Sequence, residues 1–372
     1  MTTLLETPTL LDPIEITRPQ ALEFGSGTVA AVGRFVGGRR ALVIADPFNA
    51  SRVNVLGLTG DVSAFGEVAF EPDVATLDAA LAAATQACPE VVIGFGGGSA
   101  MDLAKLVAVL AGRAQTLAEV VGPELVAGRS VGLVQVPTTA GTGSEGGTRA
   151  LVTDPATQNK LAVQSRHMLA DLAVVDPDLT LTVPAHVTAA TGVDALAHCV
   201  EAYTSRKAHP LIDLYALEGT RLVGRYLVRA VRDGSDREAR AGLSLASLYG
   251  GFCLGPVNTT AGHAVAYPLG TRHHVPHGLA CALIFPHTLA FNAPAVPERT
   301  AAVLDALGCA DDAEVSRWCE ELGIDMRLSA HGVPEADLET MAGEAHAIRR
   351  LLDNNPRDIT RDEILGLYRA AF

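Results

Sequence analysis

The first half of the chain contains three short apolar runs, and each run ends in a turn of small or polar residues. The runs cover residues 40–46, 91–95 and 131–136, with alanine- and leucine-rich stretches between them. Runs that are apolar throughout are typical of strands buried on both faces of a parallel sheet. We therefore predict an α/β domain over residues 1–180, in which helices flank a parallel sheet.

The second half of the chain has a different pattern. From about Pro184 the strand pattern is lost, and alanine, leucine and charged residues recur at three- and four-residue spacing. This spacing predicts an all-helical domain over residues 181–372. The boundary is expected in residues 176–180, where carboxylates and a proline interrupt the apolar pattern.

The composition limits the partners that the chain can have. A formal net charge of -14 argues against a nucleic-acid surface, which needs a basic face. No run of about 18 apolar residues is present, so no membrane span is expected. The six cysteines show no C-x-x-C pairing, and residues 1–6 lack the pattern of a secretory signal. These features favour a soluble, cytoplasmic protein that acts on small molecules.

Two loops in the first half are suited to binding a nucleotide. Residues 96–99 (Gly-Gly-Gly-Ser) follow an apolar run and open a helical stretch, so backbone N–H groups there can bind a diphosphate. The spacing differs from G-x-G-x-x-G, and a tight turn without a ligand is the alternative. Residues 138–144 form a second loop of small hydroxyl residues. Asp46 ends the first run, where a carboxylate binds ribose hydroxyls and repels a 2′-phosphate, which favours NAD over NADP.

The second half carries residues that could bind a metal ion. Asp194 and His198 are four residues apart, hence on one face of a predicted helix, although such pairs are often only hydrogen-bonded to each other. Five of the eleven histidines follow between positions 263 and 287. Imidazole and carboxylate donors suit Fe(II) or Zn(II) and do not suit Mg(II).

Four motifs in this order resemble those of the iron-containing (group III) alcohol dehydrogenase family, which includes lactaldehyde reductase and 1,3-propanediol dehydrogenase. The similarity runs from about residue 20 to the C-terminus. The motifs are Gly96-Gly97-Gly98-Ser99-x-x-Asp102-x-x-Lys105, Pro137-Thr138-Thr139-Ala140-Gly141-Thr142-Gly143-Ser144-Glu145, Gly192-x-Asp194-Ala195-x-x-His198 and Pro276-His277-Gly278.

The resemblance implies a fold, an activity and a set of site residues. The fold is dehydroquinate-synthase-like, and the activity is an NAD(H)-linked, iron- or zinc-dependent interconversion of a small primary alcohol and its aldehyde, in a homodimer or larger homo-oligomer. The implied metal ligands are Asp194, His198, His263 and His277. The implied cofactor contacts are Asp46, Gly97, Gly98, Ser99, Asp102, Thr138, Thr139, Thr142 and Lys160.

The sequence departs from its relatives at one position and leaves the substrate open. Tyr267 stands where lactaldehyde-reductase-like members carry a further histidine, so it is expected either to donate a proton or to line the pocket. His273 is an alternative member of a proton relay. Arg149, just after the second loop, is expected either to bind an anionic substrate or to be salt-bridged.

Several activities therefore remain as alternatives. Neutral and anionic aldehydes are both open, and maleylacetate reductase-type and phosphonoacetaldehyde reductase-type activities are runners-up. A dehydroquinate-synthase-like lyase and a non-catalytic binding protein are alternatives from other classes.

Overall fold

The computed structural model describes residues 9–157 and 159–372, so the signal-sequence assessment of residues 1–6 lies outside the described part. The chain divides into two compact units. An α/β unit comprises residues 17–139 and 143–182, and a helical unit comprises residues 183–372 together with the short segments 9–16 and 140–142. The single boundary at residue 180 stays a prediction.

The described residues form nine strands. These are β1 (Ala21–Phe24), β2 (Ala41–Ala45), β3 (Val62–Phe65), β4 (Val91–Gly96), β5 (Gly122–Pro123), β6 (Gly132–Pro137), β7 (Arg149–Asp154), β8 (Asn159–Gln164) and β9 (Leu172–Val175).

The described residues also form fifteen α-helices. These are α1 (Ala30–Val36), α2 (Pro47–Ala50), α3 (Val74–Ala87), α4 (Gly98–Leu110), α5 (Leu117–Val120), α6 (Ala185–Thr204), α7 (Pro210–Arg232), α8 (Arg237–Leu254), α9 (Ala261–His273), α10 (His277–Asn292), α11 (Pro297–Leu307), α12 (Asp312–Glu321), α13 (Leu338–Ala347), α14 (Arg349–Leu352) and α15 (Arg361–Ala370).

The α/β unit is built on a six-stranded sheet with the order β1-β9-β6-β4-β2-β3. Every neighbouring pair in this sheet is parallel. The three predicted apolar runs are β2, β4 and β6, which lie side by side at its centre, and β2 and β4 are buried along their whole length. The predicted fold class is confirmed. Because the strands are parallel, the loops that follow β2, β4 and β6 leave the same edge of the sheet.

A second, three-stranded sheet with the order β5-β8-β7 was outside the prediction. Strands β7 and β8 form an antiparallel hairpin in which Arg149 pairs with Gln164. Their burial is mixed, and β5 has only two residues, so no continuous apolar run marks these strands in the sequence.

The helical unit is organised around α6, whose residues between Thr188 and Thr204 are almost all buried. A helix buried on all sides lies inside a bundle, and α6 packs against α7, α8 and α10. The segment His277–Ala295, which begins with α10, is long and apolar enough to span a membrane, but 61% of it is buried inside the protein. Its apolar character is therefore accounted for by its place in the core.

The close packing of α4 on β4 depends on Gly94. A Cβ atom added at Gly94 would lie 2.5 Å from Oε1 of Gln135 and 3.0 Å from both Cβ of Ala104 and Cα of Met101. Gln135 is buried and its amide donates a hydrogen bond to the Met101 carbonyl, so it has little freedom to move.

We expect Gly94→Ala to lower the free energy of unfolding by about 1–3 kcal/mol, because an extra methyl group overfills this core. Gly366→Ala in α15 is the matched control, since nothing lies within 4 Å of its added Cβ. The control should raise the free energy of unfolding by about 0.5–1 kcal/mol. Urea denaturation measures both, and a Gly94→Ala protein as stable as the wild type would contradict this account.

Candidate metal centre and cofactor site

Three histidines from three helices of the helical unit surround one carboxylate oxygen of Asp194. Asp194 and His198 lie one turn apart on α6, His263 lies in the first turn of α9, and His277 begins α10. The Nε2 atoms of His198, His263 and His277 lie 3.7, 3.4 and 3.6 Å from Oδ1 of Asp194. Donor atoms bound tetrahedrally to one ion at about 2.1 Å lie about 3.4 Å apart. The structure thus brings the four predicted ligands together at spacings that suit a metal ion.

Two donor atoms of this cluster have no hydrogen-bond partner among the described residues. Asp194 and His263 are only 1% and 2% exposed, yet Oδ1 of Asp194 and Nε2 of His263 have no hydrogen-bond partner in the described part of the chain. Buried polar atoms are nearly always paired. A cation between them would satisfy both atoms, and nitrogen and oxygen donors suit Fe(II) or Zn(II). The residues therefore fit a divalent transition-metal ion.

The ionised state of Asp194 and the neutral state of His198 also suit a metal ion. Burial opposes ionisation of Asp194, but its interactions with the neighbouring His198, His277 and His263 outweigh this effect and hold the pKa of Asp194 well below its usual range. Burial lowers the pKa of His198 and so favours neutral imidazole. An ionised carboxylate and neutral imidazoles are the forms that bind metals.

Glu201 holds His263 in position and was not predicted. Its Oε1 lies 2.6 Å from Nδ1 of His263, while its Oε2 accepts hydrogen bonds from the backbone N–H and hydroxyl of Thr260. A carboxylate on Nδ1 fixes the proton there and leaves Nε2 free to bind a metal. The sequence signal was present, because Glu201 lies three residues after His198 on the same face of α6.

Cys281 is a second neighbour that the sequence analysis missed. Asp194, His263, His277 and Cys281 each offer a ligand atom, and these atoms all lie within 4.8 Å of one another. Cys281 follows His277 by one turn of α10, and burial raises the pKa of its thiol to about 12. The four-residue spacing of a histidine and a cysteine at the start of a predicted helix was the available signal.

The predicted relay residues have different surroundings. The Tyr267 ring lies beside the cluster, with its centroid 5.8 Å from that of His277 and 6.5 Å from that of His263. Nε2 of His273 lies 3.4 Å from Oδ2 of Asp337. Tyr267 is thus the relay candidate that contacts the cluster, and the catalytic roles of Tyr267 and His273 stay predictions.

The loops after β2, β4 and β6 meet at one edge of the main sheet. Nδ2 of Asn49 donates to Oδ2 of Asp46 at 2.5 Å and to Oγ1 of Thr138 at 3.2 Å. A Cβ added to Gly97 would lie 3.3 Å from Oγ1 of Thr139. The structure therefore brings Asp46, Gly97, Thr138 and Thr139 together.

Helix α4 begins at this edge of the sheet. It begins at Gly98, and its N-cap residue, Gly97, offers no side-chain hydrogen bond. The first N–H groups of a helix lack intrahelical partners and attract anions. This arrangement can hold the diphosphate of a dinucleotide, as the glycine-rich sequence predicts.

Three other predicted cofactor residues have partners within the α/β unit. Nζ of Lys160 lies 2.9 Å from Oε1 of Glu71, whose backbone N–H donates to Oγ of Ser99. Asp102 accepts hydrogen bonds from Oγ of Ser144 and the backbone N–H of Leu151, at 2.5 and 2.9 Å. Contact of these residues with a cofactor stays a prediction.

The two remaining predicted residues, Thr142 and Arg149, are not among the contacts described above. Thr142 belongs to the segment 140–142 that groups with the helical unit. The Arg149 guanidinium donates to Oε1 of Gln164 at 3.0 Å, within the β7–β8 hairpin. A role for Arg149 in substrate binding stays a prediction.

Sequence comparisons agree with this geometry. Residues 19–177 match the family model described as "Iron-containing alcohol dehydrogenase", and residues 188–372 match "Fe-containing alcohol dehydrogenase family, C-terminal". The chain belongs to the iron-containing alcohol dehydrogenase family. The resemblance and the enzyme class predicted from the motifs are confirmed.

Three proteins with known names illustrate the similarity. The chain is 34% identical to long-chain-alcohol dehydrogenase 1 of Geobacillus thermodenitrificans, over 91% of this chain and 90% of the relative. A solved 1,3-propanediol oxidoreductase matches with a TM-score of 0.92 and 30% identity, over 97% of this chain and 100% of that one. Sulfoacetaldehyde reductase from Bifidobacterium kashiwanohense, solved in complex with NAD+, matches with a TM-score of 0.87 and 27% identity, over 97% and 99%.

A buried charge network supports the loop after β6. Nζ of Lys105 donates to the Ser144 carbonyl and hydroxyl, each at 2.7 Å, and to the Arg149 carbonyl at 2.8 Å. Glu145 is also buried, and its Oε2 has no hydrogen-bond partner among the described residues. Burial raises the pKa of Glu145 from 4.5 to about 7.

We expect this carboxyl group to make stability depend on pH. The folded protein holds the Glu145 proton up to about pH 7 and the unfolded chain releases it near 4.5, so the free energy of unfolding falls as pH rises through this window. Glu145→Gln should remove this slope and be more stable than the wild type at pH 8, by roughly 2–3 kcal/mol. Urea denaturation at pH 5 and pH 8 measures the difference.

The exposed Glu320 provides the control for this pH dependence. Glu320→Gln should keep the slope of the wild type. An unchanged slope in Glu145→Gln would show that another group is responsible.

Proposed function

We propose that this enzyme is a metal-dependent, NAD(H)-linked reductase of small aldehydes that also oxidises the corresponding primary alcohols. The observation that carries the proposal is the unpartnered Oδ1 of Asp194, which has three imidazole nitrogens within 3.7 Å. Related enzymes are named as alcohol dehydrogenases and an aldehyde reductase. A cytoplasmic location and a homodimeric or larger assembly belong to the same proposal.

NAD(H) is the cofactor that the α/β unit favours. Asp46 lies at the end of β2, where a carboxylate binds ribose hydroxyls and repels the 2′-phosphate of NADP. The uncapped start of α4 suits the diphosphate. The NAD+ complex of a related sulfoacetaldehyde reductase supports this choice.

The residues of the helical unit would bind and orient the reactants. Asp194, His198, His263 and His277 would hold the ion. When bound, the divalent metal supplies Lewis-acid polarisation of the substrate oxygen, and NAD(H) supplies or accepts the hydride. Glu201 fixes the tautomer of His263, and the Tyr267 ring excludes water from one side of the cluster. The side chain of His277 is 22% exposed, so the cluster is reached from that side.

The proposal is tested by metal analysis of anaerobically purified protein together with aldehyde-dependent oxidation of NADH. We expect close to one iron or zinc ion per chain. Removal of the metal with a chelator should abolish turnover of propionaldehyde, while NADH binding, followed by fluorescence, should persist. Metal-free protein with full activity would overturn the proposal.

The substitution Glu201→Gln tests the same metal site by lowering its affinity without removing a ligand. Loss of the carboxylate behind His263 should weaken metal binding by about 10- to 100-fold in a chelator competition. Glu218→Gln is the control, because Glu218 forms an exposed ion pair with Arg221 on α7. Equal metal affinity in both variants would argue against His263 as a ligand.

A specific observation favours an anionic aldehyde as the substrate. The Arg350 guanidinium lies over the Tyr267 ring, 5.6 Å from its centroid, and Tyr267 lies beside His277. No carboxylate in residues 9–157 or 159–372 pairs with this guanidinium, whereas Glu344 binds Arg272 in a bidentate ion pair. An arginine beside Tyr267 that has no carboxylate partner in the described ranges can bind a sulfonate, phosphonate or carboxylate. A related sulfoacetaldehyde reductase is consistent with this class.

We therefore expect Arg350→Ala to lower kcat/KM for sulfoacetaldehyde by about 10- to 100-fold. A loss of this size corresponds to the free energy of about one charge-assisted hydrogen bond. The kcat/KM for neutral propionaldehyde should stay the same. Arg349→Ala is the matched control, because Arg349 is its neighbour on α14 but is paired with Asp353. If both aldehydes lose activity equally in Arg350→Ala, the residue has no role in charge recognition.

A further inference from the structure

An exposed aromatic ring lies beside the carboxylate that follows β2 in the α/β unit. Phe48 comes two residues after Asp46, in the short helix α2, and it is 55% exposed. Phe95 and Val136, near the ends of the neighbouring strands β4 and β6, are fully buried. Phe48 therefore presents apolar surface to solvent at the edge of the sheet where the loops after β2, β4 and β6 meet.

The guanidinium of Arg52 covers one face of the Phe48 ring. Its Cζ atom lies 4.7 Å from the centroid of Phe48 and 5.6 Å from that of Phe95. Nε and Nη2 of Arg52 donate to Oδ1 of Asn49 at 3.0 and 2.8 Å, and Nη2 also donates to the Leu179 carbonyl at 3.3 Å. Because these hydrogen bonds fix the guanidinium, the ring that packs on it is held in place before any ligand binds.

Asn49 connects this arginine to the Asp46 carboxylate. Its Nδ2 donates to Oδ2 of Asp46 at 2.5 Å, and its backbone N–H donates to Oδ1 at 3.0 Å. A Cβ added to Gly96 would lie 3.1 Å from Oδ2 of Asp46, so the carboxylate lies against the glycine-rich turn after β4. The ring, the guanidinium and the carboxylate therefore form one connected group next to the predicted diphosphate site.

The position of the ring relative to Asp46 suits the covalent structure of adenosine. The base of adenosine is attached to the ribose carbon next to the one that carries the 2′-hydroxyl. A ribose whose hydroxyls bind the Asp46 carboxylate therefore keeps its base close to that carboxylate. Phe48 offers a flat apolar surface there, and bases stack on aromatic rings.

We propose that Phe48 binds the adenine base of NAD(H) by stacking, with the base on the face of the ring that Arg52 leaves uncovered. This inference rests on the NAD(H) dependence of the proposed function. It adds a contact for the base to the groups that suit the ribose and the diphosphate. Because the adenine is remote from the carbon of the nicotinamide that exchanges the hydride, the contact contributes to cofactor affinity and not to the hydride step.

Binding of NADH and of two of its fragments to the full-length protein tests the proposal. Phe48→Leu keeps an apolar side chain and removes the aromatic face, so we expect NADH binding, followed by fluorescence, to weaken by about 5- to 10-fold. ADP-ribose, which contains the adenine, should lose affinity by the same factor in competition with NADH. Reduced nicotinamide mononucleotide, which lacks the adenine, should bind Phe48→Leu and the wild type equally.

Two further variants show whether the aromatic face is responsible. Phe48→Tyr retains the ring and should keep most of the affinity for NADH. Phe24→Leu makes the matched change at an exposed ring on β1, which is separated from β2 by β9, β6 and β4, and it should leave all three affinities unchanged. In steady-state kinetics, the loss in Phe48→Leu should appear in KM for NADH and not in kcat.

Three results would overturn the stacking and leave the proposed function intact. These are an unchanged affinity of Phe48→Leu for NADH, an equal loss for NADH and reduced nicotinamide mononucleotide, and a loss in Phe48→Tyr as large as that in Phe48→Leu. Failure of the wild type to bind NADH would overturn both the stacking and the NAD(H) dependence.

Discussion

The helical unit depends on a carboxylate buried between imidazoles. Asp194 lies on α6, the central helix, where an isolated negative charge would be strongly destabilising. His198, His263 and His277 make the charge tolerable, and their positions on α6, α9 and α10 tie together three helices that also share the apolar core. Glu201 adds a second buried carboxylate, which hydrogen bonds with His263 and Thr260 stabilise. The same side-chain contacts therefore join these helices and form the metal centre.

The two units supply different kinds of recognition. The α/β unit offers backbone N–H groups, hydroxyls and one carboxylate at the ends of adjacent parallel strands, and these groups suit a diphosphate and a ribose. The helical unit offers side-chain donors, among which the neighbouring histidines keep Asp194 ionised and burial favours neutral His198. The hydroxyl-rich loop after β6 passes from one unit to the other, because residues 140–142 group with the helices while Thr138 and Thr139 stay with the sheet.

The sequence was most informative where burial or metal binding restricts a position to one chemical class of residue. Fully buried strands leave continuous apolar runs, so β2, β4 and β6 were predictable, and Asp194 with His198 was visible as a helical pair. Strands β7 and β8 have mixed burial and left no such signal. Glu201 and Cys281 were missed because a glutamate or a cysteine on a helix is usually structural, and only the approach of α9 and α10 to α6 gives them partners. Arg350 is distant from Tyr267 in sequence, so only the tertiary structure could pair them.

All the predicted metal ligands belong to the helical unit, and this affects how long the protein survives in the cell. An ion that binds only the folded helices stabilises them by mass action, to an extent set by its free concentration and affinity. Without the ion, the like-charged carboxylates of Asp194 and Glu201 and the orphaned nitrogen of His263 remain in the bundle, and local opening of α6, α9 and α10 becomes easier. Proteases act on such openings. The supply of metal in the cell would then govern turnover of the protein as well as its catalytic competence.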